Sequence, residues 1–535
     1  MNSHIDHLGL YFSHYAQEFR DYPMLKFQGK IFKYEDIYRY AQAMAIYFAE
    51  ELKLNPGSRI GIMMPNTPQF IVAFLGAQIA GLVTVAINPL YTKREVQQII
   101  DHADIRCMLV LDSKAGVVKE AIDDHKQKPV VITSAMGDML SHVQSLVMNL
   151  FLRVCKKQKP YKDASFAQFR TIIKRYKHQR IQCVFRQKTD VAMLQYTSGT
   201  TGKPKGVMLS HYNILSNIAQ VNVSFKKIGV YDGSSQLLVL PFFHIYGLSV
   251  FLNGIKHNFF GVLAPNPKDT SALVKIIMSE KPVVLPLINT LMVNLLQNRK
   301  FKKADFSWLI ATISGGMATQ APVAHAWQKL TGCVVNQGYG LSETSPIVSI
   351  TTYQKHQKFL NHVGKPLVGT EVKLIDAFGK RVKSGQPGEL CIKGPQVMHG
   401  YWRSIKETAM VLKNGWFRTG DIAVFDRQGN IKIVDRIKDM IVVSGFNVYP
   451  SEVENVLNQH DQVVESAVIG AKDENDNEII QAYVVADGVV SCDELKTFCK
   501  KALAAYKVPV TIHFVDEIPK SHVGKVLKRS LKQVI

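Results

Sequence analysis

Cysteine is scarce in this chain. The seven present (Cys107, Cys155, Cys183, Cys333, Cys391, Cys492 and Cys499) are scattered, odd in number and contain no Cys-x-x-Cys pair. That argues against a disulfide framework or a structural zinc site and fits a reducing compartment. Residues 1–20 have no apolar core and carry His4, Asp6, His7 and Glu18, so no secretory signal is expected. Long hydrophobic runs are missing too, with one segment that needs a membrane test. Residues 70–87 (FIVAFLGAQIAGLVTVAI) are just long enough to span a bilayer. Gln78 and Thr84 interrupt the run, Gly76 and Gly81 break it, and the composition turns β-branched after Gly81. The expectation is a buried helix ending near Gly81, followed by a buried strand.

Acidic residues are also few. There are 43 of them against 65 Lys and Arg, a formal charge of +22. That balance favours an anionic partner (nucleic acid, a negatively charged membrane or a polyphosphate ligand), with plain solubility as the alternative. The basic residues form no recognisable nucleic-acid recognition module, so nucleic acid is not expected as a partner. No internal repeat and no low-complexity tract is present, and average use of Gly (35) and Pro (21) argues against long disordered or collagen-like segments.

What the chain does have is material for a large core: 535 residues, 47% of them hydrophobic. Length alone suggests about two to four domains. Strand-like and helical patterns alternate. Residues 59–64 read as a strand, 65–68 as a turn, then a helix to about Ala80 and a strand to Ile87. Further short strands are expected at 107–111, 130–132, 235–240 and 334–336. Such alternation predicts α/β architecture with largely parallel sheets.

Two composition shifts stand out. Residues 142–188 are unusually basic, with Asp163 the one acid among them. Within that stretch Val143, Leu146, Val147, Leu150 and Val154 fall on one helical face, Phe151 and Leu152 widen it, and Lys156, Lys157 and Lys159 follow at once. An apolar face beside basic residues suits a helix lying on an anionic membrane. It also suits a core-facing helix with a solvated basic end, and the pattern leaves both open. The second shift lies near 435–439, ahead of a run of about a hundred residues, the size of a small domain.

The densest local signal is the run Tyr196-Thr197-Ser198-Gly199-Thr200-Thr201-Gly202-Lys203-Pro204-Lys205-Gly206. Glycines permit a tight backbone whose successive N–H groups point at one anion, while hydroxyls and lysines add donors and charge. It is not a Walker loop: two residues separate Gly199 from Gly202-Lys203, and Pro204 stands where that motif needs Ser or Thr.

This run resembles the phosphate loop of the adenylate-forming superfamily: acyl-CoA synthetases, peptide-synthetase adenylation domains and luciferases. Other motifs of that superfamily follow in order. Tyr339-Gly340-Leu341-Ser342-Glu343-Thr344 resembles the segment that stacks adenine on a tyrosine and holds magnesium through a glutamate. Phe417-Arg418-Thr419-Gly420-Asp421 resembles the one whose aspartate binds the ribose hydroxyls, Arg436 a second ribose contact and Lys438 the hinge between domains. The run from Pro519 to Lys525 resembles the C-terminal loop with the catalytic lysine, here Lys525. Ser314-Gly315-Gly316 resembles the turn between acyl chain and adenine. Pro241 to Gly247 resembles the segment near the acyl pocket, in which His244 sits beside the reacting carboxylate or gates the pocket, or is simply a satisfied core histidine. Ser444 and Gly445 fall in the segment that lines the pantetheine tunnel in the family.

The resemblance covers about residues 31–530 and is closest to bacterial long-chain-fatty-acid–CoA ligases, through 88–92, 388–398 and 414–450. Two departures are small: Arg418 where many relatives have histidine, and Ser198 where some have glycine. The resemblance implies a large N-terminal domain of several subdomains (1–436) with mixed, largely parallel sheets, and a small mobile α+β C-terminal domain (437–535). It implies Mg²⁺ with ATP and coenzyme A as co-substrates and a long-chain fatty acid as substrate; the basic amphipathic segment adds the expectation of a cytoplasmic enzyme in peripheral contact with the inner face of the membrane. Family analogy alone admits a homodimer. The competing readings are a ligase for medium-chain or aromatic acids, a fatty-acyl-AMP ligase, and a membrane-binding protein that has lost catalysis.

Overall fold

The computed structural model describes residues 5–123, 125, 127–156, 159–198, 204–354, 357–383, 385–443, 446–474, 478–520 and 526–531, with only the backbone of Ser198 and Arg529. The pattern at 59–87 resolves as its chemistry predicts. Arg59–Met63 is a strand, Pro68–Ile79 a helix and Val83–Ala86 a second strand, parallel to the first. Thr67 caps the helix, its hydroxyl accepting from the Phe70 N–H at 3.4 Å, and Pro68 opens it where a missing N–H costs nothing. Gly81 then turns the chain at φ +71°, and a Cβ there would meet Val184 at 2.9 Å. All 12 residues of the helix are buried. Each of its large apolar side chains contributes about 1.5–3 kcal/mol by leaving water. The membrane-like composition therefore belongs to a core helix and a core strand. Among the described residues no helix is long and apolar enough to cross a membrane.

These elements belong to one of two eight-stranded sheets, both mostly parallel with antiparallel pairs toward the edges. One core joins them: Ile60 and Leu109 from the first sheet, Leu238 and Leu263 from the second, and Ile71 and Leu248 from helices packed with them. A third, antiparallel sheet contains Gly388–Lys393, Trp416–Phe425 and Ile431–Arg436. Beyond it a small α+β unit has its own core. Strands Val463–Lys472, Glu478–Ala486 and Thr511–Phe514 pack with helices Pro450–Leu457 and Cys492–Ala502 through Val453, Leu457, Ile480 and Leu495.

Several strands differ in length from the sequence expectation: 59–64 is Arg59–Met63, 107–111 is Ile105–Leu111 and 130–132 is Val130–Ser134. The one expected over 235–240 is Ser235–Leu238; beyond it the Leu240 carbonyl accepts from the Asn66 amide at 2.8 Å, and that amide also donates to the Leu238 carbonyl at 3.1 Å. The one expected over 334–336 runs on as Val335–Gly340, because it pairs with Ala311–Ser314 on one side and with Ile347–Ile350 on the other.

The stripe at 142–154 settles the question its periodicity leaves open. His142–Val154 is a helix with a reciprocal cap: the Ser141 hydroxyl accepts from the Gln144 N–H while the Gln144 side chain reaches back. Its orientation is inverted, so the core-facing reading is corrected. The face against the protein carries Met148, half-buried against the main core, Ser145, which is buried, and Asn149, whose side-chain oxygen accepts from the Gly137 N–H at 3.2 Å. Gly137 packs so closely that a Cβ would lie 2.9 Å from Ser145 Cα. The apolar stripe is left outside.

Candidate active site

The phosphate-loop segment joins two antiparallel strands, Val191–Ser198 and Pro204–Ser210, with Thr197 opposite Lys205 and Ser198 opposite Pro204. Gly199, Thr200, Thr201, Gly202 and Lys203 lie outside the described residues, but the hairpin that frames them is placed. Thr197 is half-buried at its rim. The Lys205 ammonium lies 5.3 Å from the centre of the Tyr401 ring and 3.6 Å from Glu407. Tyr401 pairs with Val207 across the next strand contact, and its hydroxyl donates to Glu343 Oε1 at 2.9 Å. Lys205, Tyr401 and Glu343 thus link the base of the loop to the carboxylate expected to hold magnesium.

Glu343 sits in the short turn Ser342–Thr344, immediately after Val335–Gly340. Buried Thr344 closes that turn, accepting from the Leu341 N–H and donating to the Leu341 carbonyl at 3.0 and 3.1 Å. The Met398 N–H donates to the Glu343 carbonyl at 2.8 Å. Burial pushes the Glu343 carboxyl above its usual range, while the Tyr401 hydrogen bond and the nearby Arg436 charge pull it down. A cation would relieve that burial penalty, and a hard carboxylate oxygen suits Mg²⁺. Among the described residues no group of three His, Cys, Asp or Glu could hold a metal unaided. Glu343 therefore fits as a single protein ligand to an ion whose other ligands are phosphate oxygens and water.

The third sheet builds the corner where the ribose contacts are expected. Asp421 and Arg436 are cross-strand partners, and Arg436 Nε lies 2.9 Å from Asp421 Oδ1. The Tyr339 hydroxyl donates to the other oxygen, Oδ2, at 2.6 Å. Asp421 is 2% exposed, so both contacts satisfy a carboxylate that would be costly to bury alone. A carboxylate has about four acceptor positions, so a diol can still add hydrogen bonds. Burial, then the Asp421 charge, pushes the Tyr339 phenol well up and keeps it a neutral donor. Arg418, whose role the sequence leaves open, pairs with Glu389 at 2.8 Å through Nε, and Glu389 also accepts from the Gly420 N–H at 3.2 Å. That clamp holds the turn leading into Asp421.

The glycines mark close approach. A Cβ on Gly315 would lie 3.0 Å from the Gly338 carbonyl and 3.2 Å from the Tyr246 ring, and one on Gly340 would collide with the Pro346 carbonyl. Gly316, at φ +77°, lines a cavity of about 520 Å³, a size usual for small-molecule sites. His244, Tyr246 and Gly247 line it from the large domain; Glu465, Ile518 and Lys520 line it from the small one. His244 is half-buried and caps the helix Ile245–Lys256, its Nδ1 accepting from the Tyr246 N–H at 3.2 Å. It is a cavity-lining residue and not a core one.

The loop expected to carry the catalytic lysine starts at this cavity. Lys520 bridges to Val526, Leu527 N–H donates to the Pro519 carbonyl at 2.8 Å, and the Lys520 ammonium lies 2.6 Å from Glu465. Lys525 lies outside the described residues, as do Ser444 and Gly445, which fall between the paired strands Ile441–Val443 and Phe446–Val448. Lys438 is exposed in the turn Ile437–Asp439, directly after Arg436 and ahead of the small domain. Tyr401 and Glu389 were not singled out by sequence reasoning. Nothing in their local sequence is chemical; only strand pairing brings them to Glu343 and Arg418.

A hairpin loop, a buried Asp421–Arg436–Tyr339 corner and a cavity lined from both domains fit a nucleotide-dependent, two-domain enzyme. The chain belongs to the AMP-binding enzyme family, whose model matches residues 12–402, with the AMP-binding enzyme C-terminal domain matching residues 452–525. It is 38% identical to a long-chain-fatty-acid–CoA ligase of Escherichia coli O6:H1, over 97% of this chain and 93% of the relative. It is 35% identical to a long-chain-fatty-acid–CoA ligase of Bacillus subtilis, over 96% and 92%. Among solved structures, an anthranilate CoA ligase in complex with anthranoyl-AMP superposes with a TM-score of 0.87 at 21% identity, over 99% of this chain and 97% of that one. ATP-bound MatB from Rhodopseudomonas palustris superposes with a TM-score of 0.84 at 26% identity, over 99% of both chains.

Proposed function

We propose that this protein is a long-chain-fatty-acid–CoA ligase that works through an acyl-adenylate. The observation that supports this most is the cavity between the two domains: His244 and Gly316 line it from the large domain, and Pro519 and Lys520, at the base of the expected catalytic-lysine loop, line it from the small one. We divide the chain at 436/437.

A carboxylate is a poor acyl donor. In the first half-reaction a fatty carboxylate oxygen bonds to the α-phosphorus of ATP, the bond to the β-phosphate oxygen breaks, and pyrophosphate leaves. The protein's task is positioning and charge neutralisation. Thr197 to Lys203, helped by Lys205, hold the β- and γ-phosphates. Asp421, with Arg436, holds the ribose diol, and the ring of Tyr339 offers a face to adenine. Mg²⁺ on Glu343 offsets phosphate charge when bound. His244 and the Gly315–Gly316 turn border the acyl group, and Lys525 bridges its carboxylate and the α-phosphate.

In the second half-reaction the small domain rotates about Lys438, bringing Ser444 and Gly445 to the pantetheine path. The coenzyme A sulfur bonds to the acyl carbonyl carbon, the thiol proton is lost, and AMP departs. We place the enzyme in the cytoplasm, in peripheral contact with an anionic membrane, and family analogy admits a homodimer. The test is a panel of oleate, octanoate and benzoate, read as pyrophosphate release. Preference for oleate is expected. Preference for benzoate or octanoate would leave the chemistry standing and overturn the substrate.

A further inference from the structure

The helix His142–Val154 exposes Val143, Leu146, Val147, Leu150, Phe151 and Val154, at between 47% (Phe151) and 74% (Val143), while its polar Ser145 is buried. Amphipathic surface helices of folded domains do the reverse. An apolar stripe this continuous marks an interaction site. The capped N-terminus and the Asn149–Gly137 hydrogen bond hold the helix in this orientation, so the exposure is built in.

Charge decides what covers it. Exposed Arg153, Lys156, Lys159 and Lys162 follow the stripe, and exposed Arg170 lies 2.9 Å from His142 at the other end. Both ends are basic, so pairing two copies of the helix in either direction brings cations together. An anionic lipid surface instead takes the stripe into its acyl boundary and the basic residues into its headgroups.

Position gives the surface a purpose. Lys156, just past the helix, lies 3.7 Å from Asp269. The two residues before Asp269, Pro267 and exposed Lys268, line the same cavity as His244 and Gly316. An exposed ion pair contributes little energy; it does show that the stripe ends one contact away from the cavity rim. We propose that this helix docks the enzyme on an anionic bilayer and sets the rim at Pro267–Lys268 against the headgroups, so that the fatty acid enters the cavity from the membrane. The docking surface stands on its own; the loading role rests on the ligase reading.

The test uses the full chain and the double variant Leu146→Glu/Leu150→Glu, which changes two exposed side chains outside the active site. Flotation is measured with phosphatidylglycerol-containing vesicles and with pure phosphatidylcholine vesicles. Turnover is measured with oleate carried in the vesicles, oleate in detergent, and octanoate in solution. The unaltered protein is expected to float with the anionic vesicles, and less so at high salt. The variant should lose about tenfold or more in vesicle affinity and in turnover of vesicle-borne oleate, while keeping octanoate turnover. Equal flotation of the two proteins overturns the docking surface. So does a dimer of the unaltered protein that the variant dissociates and that does not float. If oleate is not turned over even from detergent, the ligase reading fails and the loading role falls with it, whereas flotation still decides the docking surface.

Discussion

The ribose corner and the helix His142–Val154 both break the ordinary burial rule, in opposite directions. At the corner, charge is buried: Asp421 is 2% exposed, yet Tyr339 and Arg436 supply a donor to each of its oxygens. On the helix, apolar surface is exposed, and none of the described residues covers it. The first violation is resolved internally, so the site is held ready and its ligand adds to a network already formed. The second can be resolved only from outside. A buried polar group with its partners in place points to a preorganised site; an apolar face with none points to a partner.

That contrast makes predictions of descending size. The largest concerns the loop at the cavity. Lys525→Ala should remove roughly 3–4 kcal/mol of transition-state stabilisation, about a hundred- to a thousandfold in oleate-dependent pyrophosphate release. Supplied oleoyl-adenylate should still be converted to the thioester, and loss of that second step as well would contradict the role given to Lys525.

Asp421→Ala unpairs both Tyr339 and Arg436. Its expected cost is about 2–3 kcal/mol, roughly thirty- to a hundredfold in kcat/KM for ATP, with the KM for coenzyme A little changed. A change below threefold would mean that the corner is structural. Tyr401→Phe deletes one hydrogen bond to Glu343 and nothing else. About tenfold in kcat/KM is expected, with a raised requirement for Mg²⁺. An unchanged magnesium titration would detach Tyr401 from the metal site.

A separate effect, on stability and not on catalysis, lies outside that order. His211 is buried, and its Nδ1 accepts from the Leu8 N–H at 3.2 Å. Burial, with His7 and Arg186 acting in the same direction, pushes it from 6.5 down to about 3. A folded-state value below the unfolded one means that the unfolded chain binds the extra proton. The stabilisation is therefore present above pH 6.5 and is lost as pH falls toward 3, by up to about 1.4 kcal/mol per pH unit. Melting curves at pH 7.5, 6 and 5 should show that fall, and His211→Gln should flatten its slope whatever it does to the midpoint. An unchanged slope would assign the acid lability elsewhere.

The same contrast separates what was legible in the sequence from what was not. The helix and strand at 59–87 could be read because Thr67, Pro68 and Gly81 act locally and the runs between them are long enough to count. Tyr339, Glu343, Asp421 and Arg436 could be named through their motifs, and the structure brings them together. The hydrogen bonds that connect them could not be read. Tyr401 reaches Glu343, and Glu389 reaches Arg418, through strand registers set by residues far away in the chain. Periodicity found the stripe on His142–Val154 but carries no sign: a helix turned outward and one turned inward have the same spacing. Packing of Ser145 and Asn149 against Gly137 and of Met148 against the core shows which way it faces.

The most direct test of the account is a split of the two half-reactions in one sample. With ATP, Mg²⁺ and oleate but no coenzyme A, the enzyme should release about one pyrophosphate per active site and retain AMP as oleoyl-adenylate. Adding coenzyme A should then release AMP and oleoyl-CoA together and start continuous turnover. Continuous release of AMP without coenzyme A, or an oleoyl-adenylate that coenzyme A does not consume, would contradict a ligase that alternates between two domain positions.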